Sequence, residues 1–68
     1  MSAAALARVK RQIKPRQFQI FDLHVLKQWP VKEVARALNV SIGQIYVTKH
    51  RVARLLETEL KRLQDRSH

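Results

Sequence analysis

The chain has 68 residues, and a chain of this length forms one domain at most. Fourteen lysines and arginines against five acidic residues give a net charge of +9, which favours nucleic acid as a partner and, second, an acidic membrane surface. The absence of cysteine excludes a disulfide framework and a thiolate metal site, and no apolar run approaches the roughly 20 residues that span a bilayer.

The first predicted helix covers Ala3 to Ile13, where Ala, Leu, Arg and Lys are all good helix formers. We expect its start to be frayed, since chain termini usually are. Lys14 precedes a proline and should therefore end the element. Arg8, Lys10 and Arg11 interrupt the apolar core that a signal peptide needs, so the expected compartment is the cytoplasm.

The second predicted helix, Arg16 to Gln28, carries an apolar stripe. Phe18, Phe21 and Val25 recur at spacings of three and four residues, as they would on one face of a helix. We therefore expect these aromatic rings, together with Trp29, to belong to the core and not to a base-stacking platform.

The third predicted helix, Val31 to Leu38, is followed by residues that suit a tight turn. Asn39 tolerates the left-handed conformation that ends a helix. Ser41 can cap the next helix, and Gln44 three positions later completes a capping box. The fourth helix is predicted to run from Ile42 to about Gln64. Two helices joined by such a turn predict a helix-turn-helix, which places its second helix in the DNA major groove.

The predicted fold is therefore an all-α domain of about four helices that contains a helix-turn-helix. Residues 1–14 are predicted to form a basic N-terminal helix and residues 15–68 the helix-turn-helix domain, both within one domain. Small side chains at Ala35 and Gly43 would let the two helices of the motif approach closely. A strand over residues 40–47 is disfavoured because the glycine interrupts its alternation.

The stretch from Val34 to Leu56 contains no acidic residue, and its basic side chains predict a binding face. Arginine is the commonest reader of guanine, glutamine pairs with adenine, and apolar side chains contact thymine methyl groups. The predicted base-contacting residues are Gln44, Tyr46, Val47, His50 and Arg51. The predicted phosphate-contacting residues are Lys32, Arg36, Ser41, Thr48, Lys49 and Arg54. Tyr46 covering the edge of the core is the alternative to its base contact.

Four short motifs occur together: a Pro-x-Gln start at Pro15, Glu-Val-Ala at 33–35, Val-Ser-Ile-Gly-Gln-Ile at 40–45, and basic residues at His50, Arg51 and Arg54. Together they resemble the C-terminal domain, region 4, of bacterial RNA polymerase sigma factors, especially the extracytoplasmic-function group. The resemblance covers roughly residues 12–63. Asn39 replaces the usual glycine of the turn, and Lys49 stands where the family usually has an apolar residue on the inner stripe.

The resemblance implies recognition of the −35 element of double-stranded promoter DNA and docking on the β-subunit flap of the RNA polymerase core. It implies base-facing or backbone-facing roles for Tyr46, Val47, His50 and Arg51, and a flanking phosphate role for Arg54. An anti-sigma factor is a further candidate partner. The family's DNA-melting domain is not among these residues, so an excised domain and a stand-alone relative are both open.

The sequence offers no catalytic or metal-binding constellation. Asp22 and Glu33 are too isolated to form an acid–base pair, and no nucleophile has a plausible base nearby, so no enzyme and no cofactor are expected. His24, His50 and His68 lie at unrelated spacings, which argues against a metal site. We expect His24 to be exposed.

Three alternatives stand beside promoter recognition. The effector domain of response regulators has similar helices and dimerises through its last one, where Leu56, Leu60 and Leu63 would form the interface or else pack on the first helix. A protein-interaction module would bind polymerase or an anti-sigma factor without DNA. A third class would associate with a membrane surface through residues 3–14. The preferred interpretation is a monomeric DNA-binding domain with no membrane partner.

Overall fold

The computed structural model describes residues 2–66, and side chains are described for residues 2–65, so His68 lies outside the described residues. The helices in chain order are α1 (Ala3–Gln12), α2 (Pro15–Phe21), which continues into a π-helical turn (Asp22–Leu26), α3 (Val31–Leu38) and α4 (Ile42–Arg66). The described residues contain no strand. The predicted all-α class with a helix-turn-helix is confirmed.

The boundary between α1 and α2 follows from local chemistry. Ser2 caps α1, because its Oγ accepts a hydrogen bond from the Ala5 N–H at 3.3 Å. Lys14 is extended, as expected for a residue before proline, and Pro15 occupies the first turn of α2. The Lys14 N–H donates to Gln17 Oε1 at 3.1 Å, which closes the start of α2.

The end of the second helical segment differs from the prediction. Over Asp22–Leu26 the backbone widens into one π-helical turn, and the Lys27 N–H donates to the Asp22 carbonyl at 2.9 Å. Gln28 then takes a left-handed conformation with φ 59°. The helical segment therefore ends before Gln28, its predicted last residue. Pro30 directly precedes α3 and caps it with its carbonyl, which accepts from Glu33 and Val34 N–H groups.

The turn between α3 and α4 has the predicted conformation. Asn39 is left-handed, with φ 56° and ψ 49°. The N–H groups of Asn39 and Val40 both donate to the Ala35 carbonyl, which satisfies the end of α3. Ser41 Oγ accepts from the Gln44 N–H at 3.1 Å and caps α4. Residues of the turn itself therefore stabilise the end of α3 and the start of α4.

Two buried apolar clusters hold the helices together, and α4 contributes to both. The cluster that joins α1, α2 and α4 consists of Ala5, Val9, Phe21, Val52 and Leu56. The cluster that joins α2, α3 and α4 consists of Ile20, Val34 and Ile45, each fully buried. Leu60 and Leu63 pack against the first cluster, to which α1 contributes Ala5 and Val9.

A buried carboxylate adds a polar tie between α1 and α4. Glu59 is 2% exposed and accepts hydrogen bonds from Gln12 Nε2 at 3.0 Å, from Arg62 Nη1 at 3.2 Å and from Arg8 Nη1 at 3.4 Å. The Gln12 hydrogen bond is the largest effect that lowers the pKa of Glu59; Arg8 and Arg62 lower it further, and desolvation by burial opposes them. Neither spacing nor composition indicated that Glu59 would be buried between these helices.

Some apolar residues lie nearer the surface than the sequence suggests. Trp29 is 39% exposed, so it does not belong to the core as predicted, and Ile42, the first residue of α4, is 42% exposed. A Cβ placed on Gly43 would meet no heavy atom within 4 Å, so the expected close approach of α3 and α4 at this glycine is wrong. Phe18 is half-buried, and Lys10 Nζ lies 5.2 Å from the centre of its ring.

Candidate nucleic-acid interface

The rotation of α4 about its axis is set by its buried side chains. Ile45, Thr48 and Val52 are 0%, 4% and 1% exposed and lie at helical spacing on the inner face. The inner stripe therefore passes through Thr48 and not through Lys49, which is exposed. The prediction that Thr48 faces solvent and contacts a phosphate is wrong, because its side chain is enclosed by the core.

The five predicted base-contacting residues all lie on the exposed side of the start of α4. They are Gln44, Tyr46, Val47, His50 and Arg51. Two of them present apolar surface to solvent: Tyr46 is 51% exposed and Val47 is 56% exposed. The exposed fraction of Tyr46 disfavours the alternative in which it covers the core.

A histidine from the preceding helical segment supports the ring of Tyr46. The rings of His24 and Tyr46 meet edge to face, with centres 6.2 Å apart and an interplanar angle of 89°. His24 Nδ1 lies 3.1 Å from the Trp29 carbonyl oxygen. His24 is half-buried, which corrects the expectation that it is exposed, because its ring extends from the π-helical turn to Tyr46 of α4. The contact restricts where the Tyr46 ring can point.

The remaining predicted phosphate-contacting residues, Lys32, Arg36, Ser41, Lys49 and Arg54, are exposed. The ion pairs found among the described residues use other cations, namely Arg8, Lys27, Lys61 and Arg62. The positive charges along α3 and the first half of α4 are therefore not neutralised within the described part of the chain. Such a field favours a polyanion.

Arg16 was predicted only as the first residue of the second helix, and the structure places its guanidinium beside the turn. Its Nη1 donates to the Leu38 carbonyl at the end of α3. The guanidinium is exposed and has four further N–H donors. A charge from α2 thus joins those of the helix-turn-helix, a placement that depends on the packing of α2 against α3.

An apolar groove runs between the second helical segment and α4. The apolar pattern of neither helix alone predicts it, because both helices line it. It encloses about 260 Å³. Its lining residues are Phe21, Val25, Lys49, Ala53, Leu56, Glu57 and Leu60. A second, more polar hollow is lined by Tyr46, Lys49, His50 and Ala53. Lys49 and Ala53 line both, so the apolar groove adjoins the predicted base-contacting surface.

Residues 3–56, which are more than half of the chain, match the model of a protein family described as Sigma-70, region 4. The chain belongs to this sigma-70 region 4 family. Comparisons with curated proteins and with solved structures found no match. The family is one of DNA-binding transcription factor domains and not of enzymes, and it acts in transcription initiation with RNA polymerase.

The family match ends inside α4. The matched segment of this region 4 domain stops at Leu56, whereas α4 continues to Arg66. Glu59 and Arg62 lie beyond the matched segment, and Glu59 ties the end of α4 to Arg8 and Gln12 of α1. Within the described residues, no helix combines the length and apolar character needed to cross a membrane.

Proposed function

We propose that this region 4 domain recognises the −35 promoter element through the start of α4 and docks on the RNA polymerase core through the apolar groove. The row of exposed side chains at the capped start of α4 supports the proposal that the domain reads DNA sequence. Arg51 and Gln44 supply hydrogen bonds suited to guanine and adenine, and Tyr46 and Val47 supply apolar surface for thymine methyl groups. The helix that carries them follows the turn of a helix-turn-helix.

Phosphate contacts come from side chains around that helix. Lys32 and Arg36 are exposed on α3, the helix that crosses the DNA backbone in this motif. Arg54 continues the basic surface along α4, and Arg16 adds a guanidinium next to the turn. These contacts hold the domain in register and carry no sequence information by themselves.

The apolar groove supports the polymerase-docking part of the proposal. Its floor is formed by side chains such as Phe21, Val25 and Leu60. A concave apolar surface between helices suits an amphipathic helix of a partner protein. We assign the β-subunit flap to this groove, and an anti-sigma factor is a second partner of the same kind.

The DNA-reading part is tested by selecting duplexes from a random pool with the purified domain. The expected outcome is an enriched motif, and Arg51→Ala should lose the preference at one position of it. Circular dichroism of the variant checks that the fold is intact. Equal recovery of all sequences, or no binding even at low salt, contradicts the proposal.

The docking part is tested by binding of the domain to RNA polymerase core. Ala53 lines the groove but is exposed, so Ala53→Glu should block docking without disturbing the buried clusters. Arg11→Glu is the matched control, because Arg11 is exposed on α1 and does not line the groove. Equal binding of the wild type and both variants argues against this groove as the docking site.

The response-regulator alternative requires a dimer through the last helix. Leu56 is 8% exposed, and Leu60 and Leu63 pack against the same cluster, so part of this leucine face is already used within the domain. We therefore propose a monomer. A stable dimer in sedimentation at micromolar concentration would contradict it.

Membrane association through residues 3–14 needs an apolar side of α1 that is free. Ala5 and Val9 are fully buried against α4, which removes that side from contact with lipid. Binding to anionic vesicles at physiological salt is therefore not expected.

A further inference from the structure

We propose that Lys49 selects the helix that docks in the apolar groove, and that the accepted helix carries a carboxylate opposite Lys49. The inference rests on the docking function proposed above, and it adds the chemistry by which one partner is chosen over another. It follows from three features of the groove: its length, its apolar floor and its charges.

The length of the groove fits a short helix. The residues of α4 that line it run from Lys49 to Leu60 at spacings of three and four, so they form one face of that helix. Eleven rises of 1.5 Å from Lys49 to Leu60 make the groove about 16 Å long, which is three turns of an occupant helix. Phe21 and Val25 add to the apolar floor from the second helical segment. Because the described residues contain no strand, no sheet edge is present for an extended peptide to join.

The two charged residues of the lining differ in their surroundings. Glu57 pairs with Lys61, whose Nζ lies 3.5 Å from Glu57 Oε1. Lys49 is exposed, and no acidic group of the described residues lies within ion-pair distance of it. The groove therefore presents one positive charge that the described part of the chain does not balance.

Covering Lys49 with an apolar helix would remove water from its ammonium group without replacing the lost hydrogen bonds, which is unfavourable. A carboxylate at the same place would accept a charge-assisted hydrogen bond instead. A partner helix with lysine or arginine there would be repelled. Lys49 thus acts on specificity, since the apolar floor alone would accept any amphipathic helix of suitable size.

The experiment uses a displayed library of amphipathic helical peptides, with every position outside the apolar stripe randomised. The library is selected separately against the wild type, Lys49→Glu and Arg11→Glu. For the wild type we expect enrichment of Asp or Glu at one peptide position. For Lys49→Glu the same position should change to Lys or Arg, and Arg11→Glu, which carries the same charge change away from the groove, should keep the wild-type preference. An acidic peptide from the wild-type pool should bind Lys49→Glu at least about tenfold more weakly.

The same peptide preference in all three selections would overturn the role of Lys49. Recovery of no peptide by any of the three proteins would overturn the groove as a helix site. Binding of the same preparations to RNA polymerase core is measured in parallel. If the wild type docks on the core while the selections show no charge preference, only the selector role fails and the proposed docking function stands. Lys49→Met provides a second variant, which should keep binding apolar helices and lose the charge preference.

Discussion

Glu59 shows how one buried carboxylate connects two helices that are far apart in the sequence. Its oxygens accept hydrogen bonds from Gln12 and Arg8 on α1 and from Arg62 on α4. The hydrogen bond from Gln12, followed by Arg8 and Arg62, holds the pKa of Glu59 below its ordinary value of 4.5 even though burial works in the opposite direction. The charged form of this residue is thus favoured by folding.

This lowered pKa predicts a specific loss of stability in acid. Because folding lowers the pKa of Glu59, the unfolded chain binds the proton at a higher pH than the folded chain does. The stabilisation is complete above the ordinary value of 4.5 and is lost as the pH falls through the lower pKa of the folded state. Glu59→Gln keeps the shape and removes the charge. Urea unfolding across pH should show the wild type more stable than Glu59→Gln near neutrality, with the difference vanishing in acid.

The control for Glu59 is Glu57→Gln. Glu57 is highly exposed and pairs only with Lys61 across one turn, and such surface pairs contribute little. Removal of the Glu57–Lys61 pair should hardly change the pH dependence. A stability difference between wild type and Glu59→Gln that stays constant from about pH 7 to about pH 3 would show that the charge of Glu59 is not the source.

A second prediction at the residue scale separates base reading from phosphate contact. Arg51 is exposed on the reading side of α4, whereas Lys32 is exposed on α3. Arg51→Ala should relax the preference at one base pair by about 1–3 kcal/mol, and Lys32→Ala should weaken binding to all sequences alike. The measurement is the affinity of each variant for a panel of duplexes with single substitutions. A uniform effect of Arg51→Ala across the panel would exclude its base-reading role.

The exposure of the five predicted base-contacting residues could be expected from the capped start of α4, but the burial of Thr48 could not. The resemblance noted in the sequence suggests an inner face through Lys49. In the structure Ile45 and Val52 set the rotation, so Thr48 turns inward and Ile42 turns out. Whether a polar residue lies on the inner face depends on packing against the other helices. The apolar periodicity of one helix does not give that information.

At the scale of the helices, local signals predicted the turn of the motif well and the end of the second helical segment poorly. Asn39 and Ser41 carry their own conformational and capping preferences. Nothing in the residues 22–28 requires a π-helical turn or a left-handed glutamine. These arise because the Lys27 and Trp29 N–H groups donate to carbonyls five and six residues earlier, on Asp22 and Leu23. Such a widened backbone has no simple signature in composition.

The left-handed Gln28 yields a stability prediction. A non-glycine residue with a positive φ costs roughly 1–2 kcal/mol, and glycine avoids this cost but loses more entropy on folding. Gln28→Gly should therefore raise the free energy of unfolding by about 0.5–1 kcal/mol. Gln28→Ala is the matched control, since alanine keeps the Cβ and should bring no gain. Urea unfolding of the three proteins measures the difference, and a destabilised Gln28→Gly would show that the glutamine side chain contributes at this site.

At the scale of the whole molecule, α4 organises the domain. It has 25 residues, and it carries the predicted base-contacting side chains at its start, the groove along its middle and Glu59 towards its end. The molecule is elongated, with principal extents of 44 × 18 × 16 Å, and this helix contributes to both buried clusters. The proposed DNA surface and the proposed partner groove therefore share one continuous helix. A partner in the groove would then lie next to DNA bound at the start of α4.

The charge of the whole chain leads to a prediction about salt. Each phosphate that the protein neutralises adds about 0.9 to the slope of log affinity against log salt concentration for duplex DNA. If Lys32, Arg36 and Arg54 each contact a phosphate, replacing all three by alanine should reduce the slope by about 2.7. Titration of duplex binding from low to physiological salt measures the slope of wild type and variant. The triple variant also has a lower net charge. If only the net charge mattered, removing any other exposed cation would reduce the slope by the same amount per charge.

Lys61 distinguishes specific phosphate contacts from that general field. It lies 10 positions beyond Arg51, the last predicted base-contacting residue, which at 1.5 Å per residue is about 15 Å along α4, and it already pairs with Glu57. Lys61→Ala should therefore leave the slope at the wild-type value. A triple variant with an unchanged slope would mean that the three basic residues do not meet phosphates. An equal loss of slope per charge in Lys61→Ala would mean that the net charge of +9 acts through the whole surface and not through the helix-turn-helix.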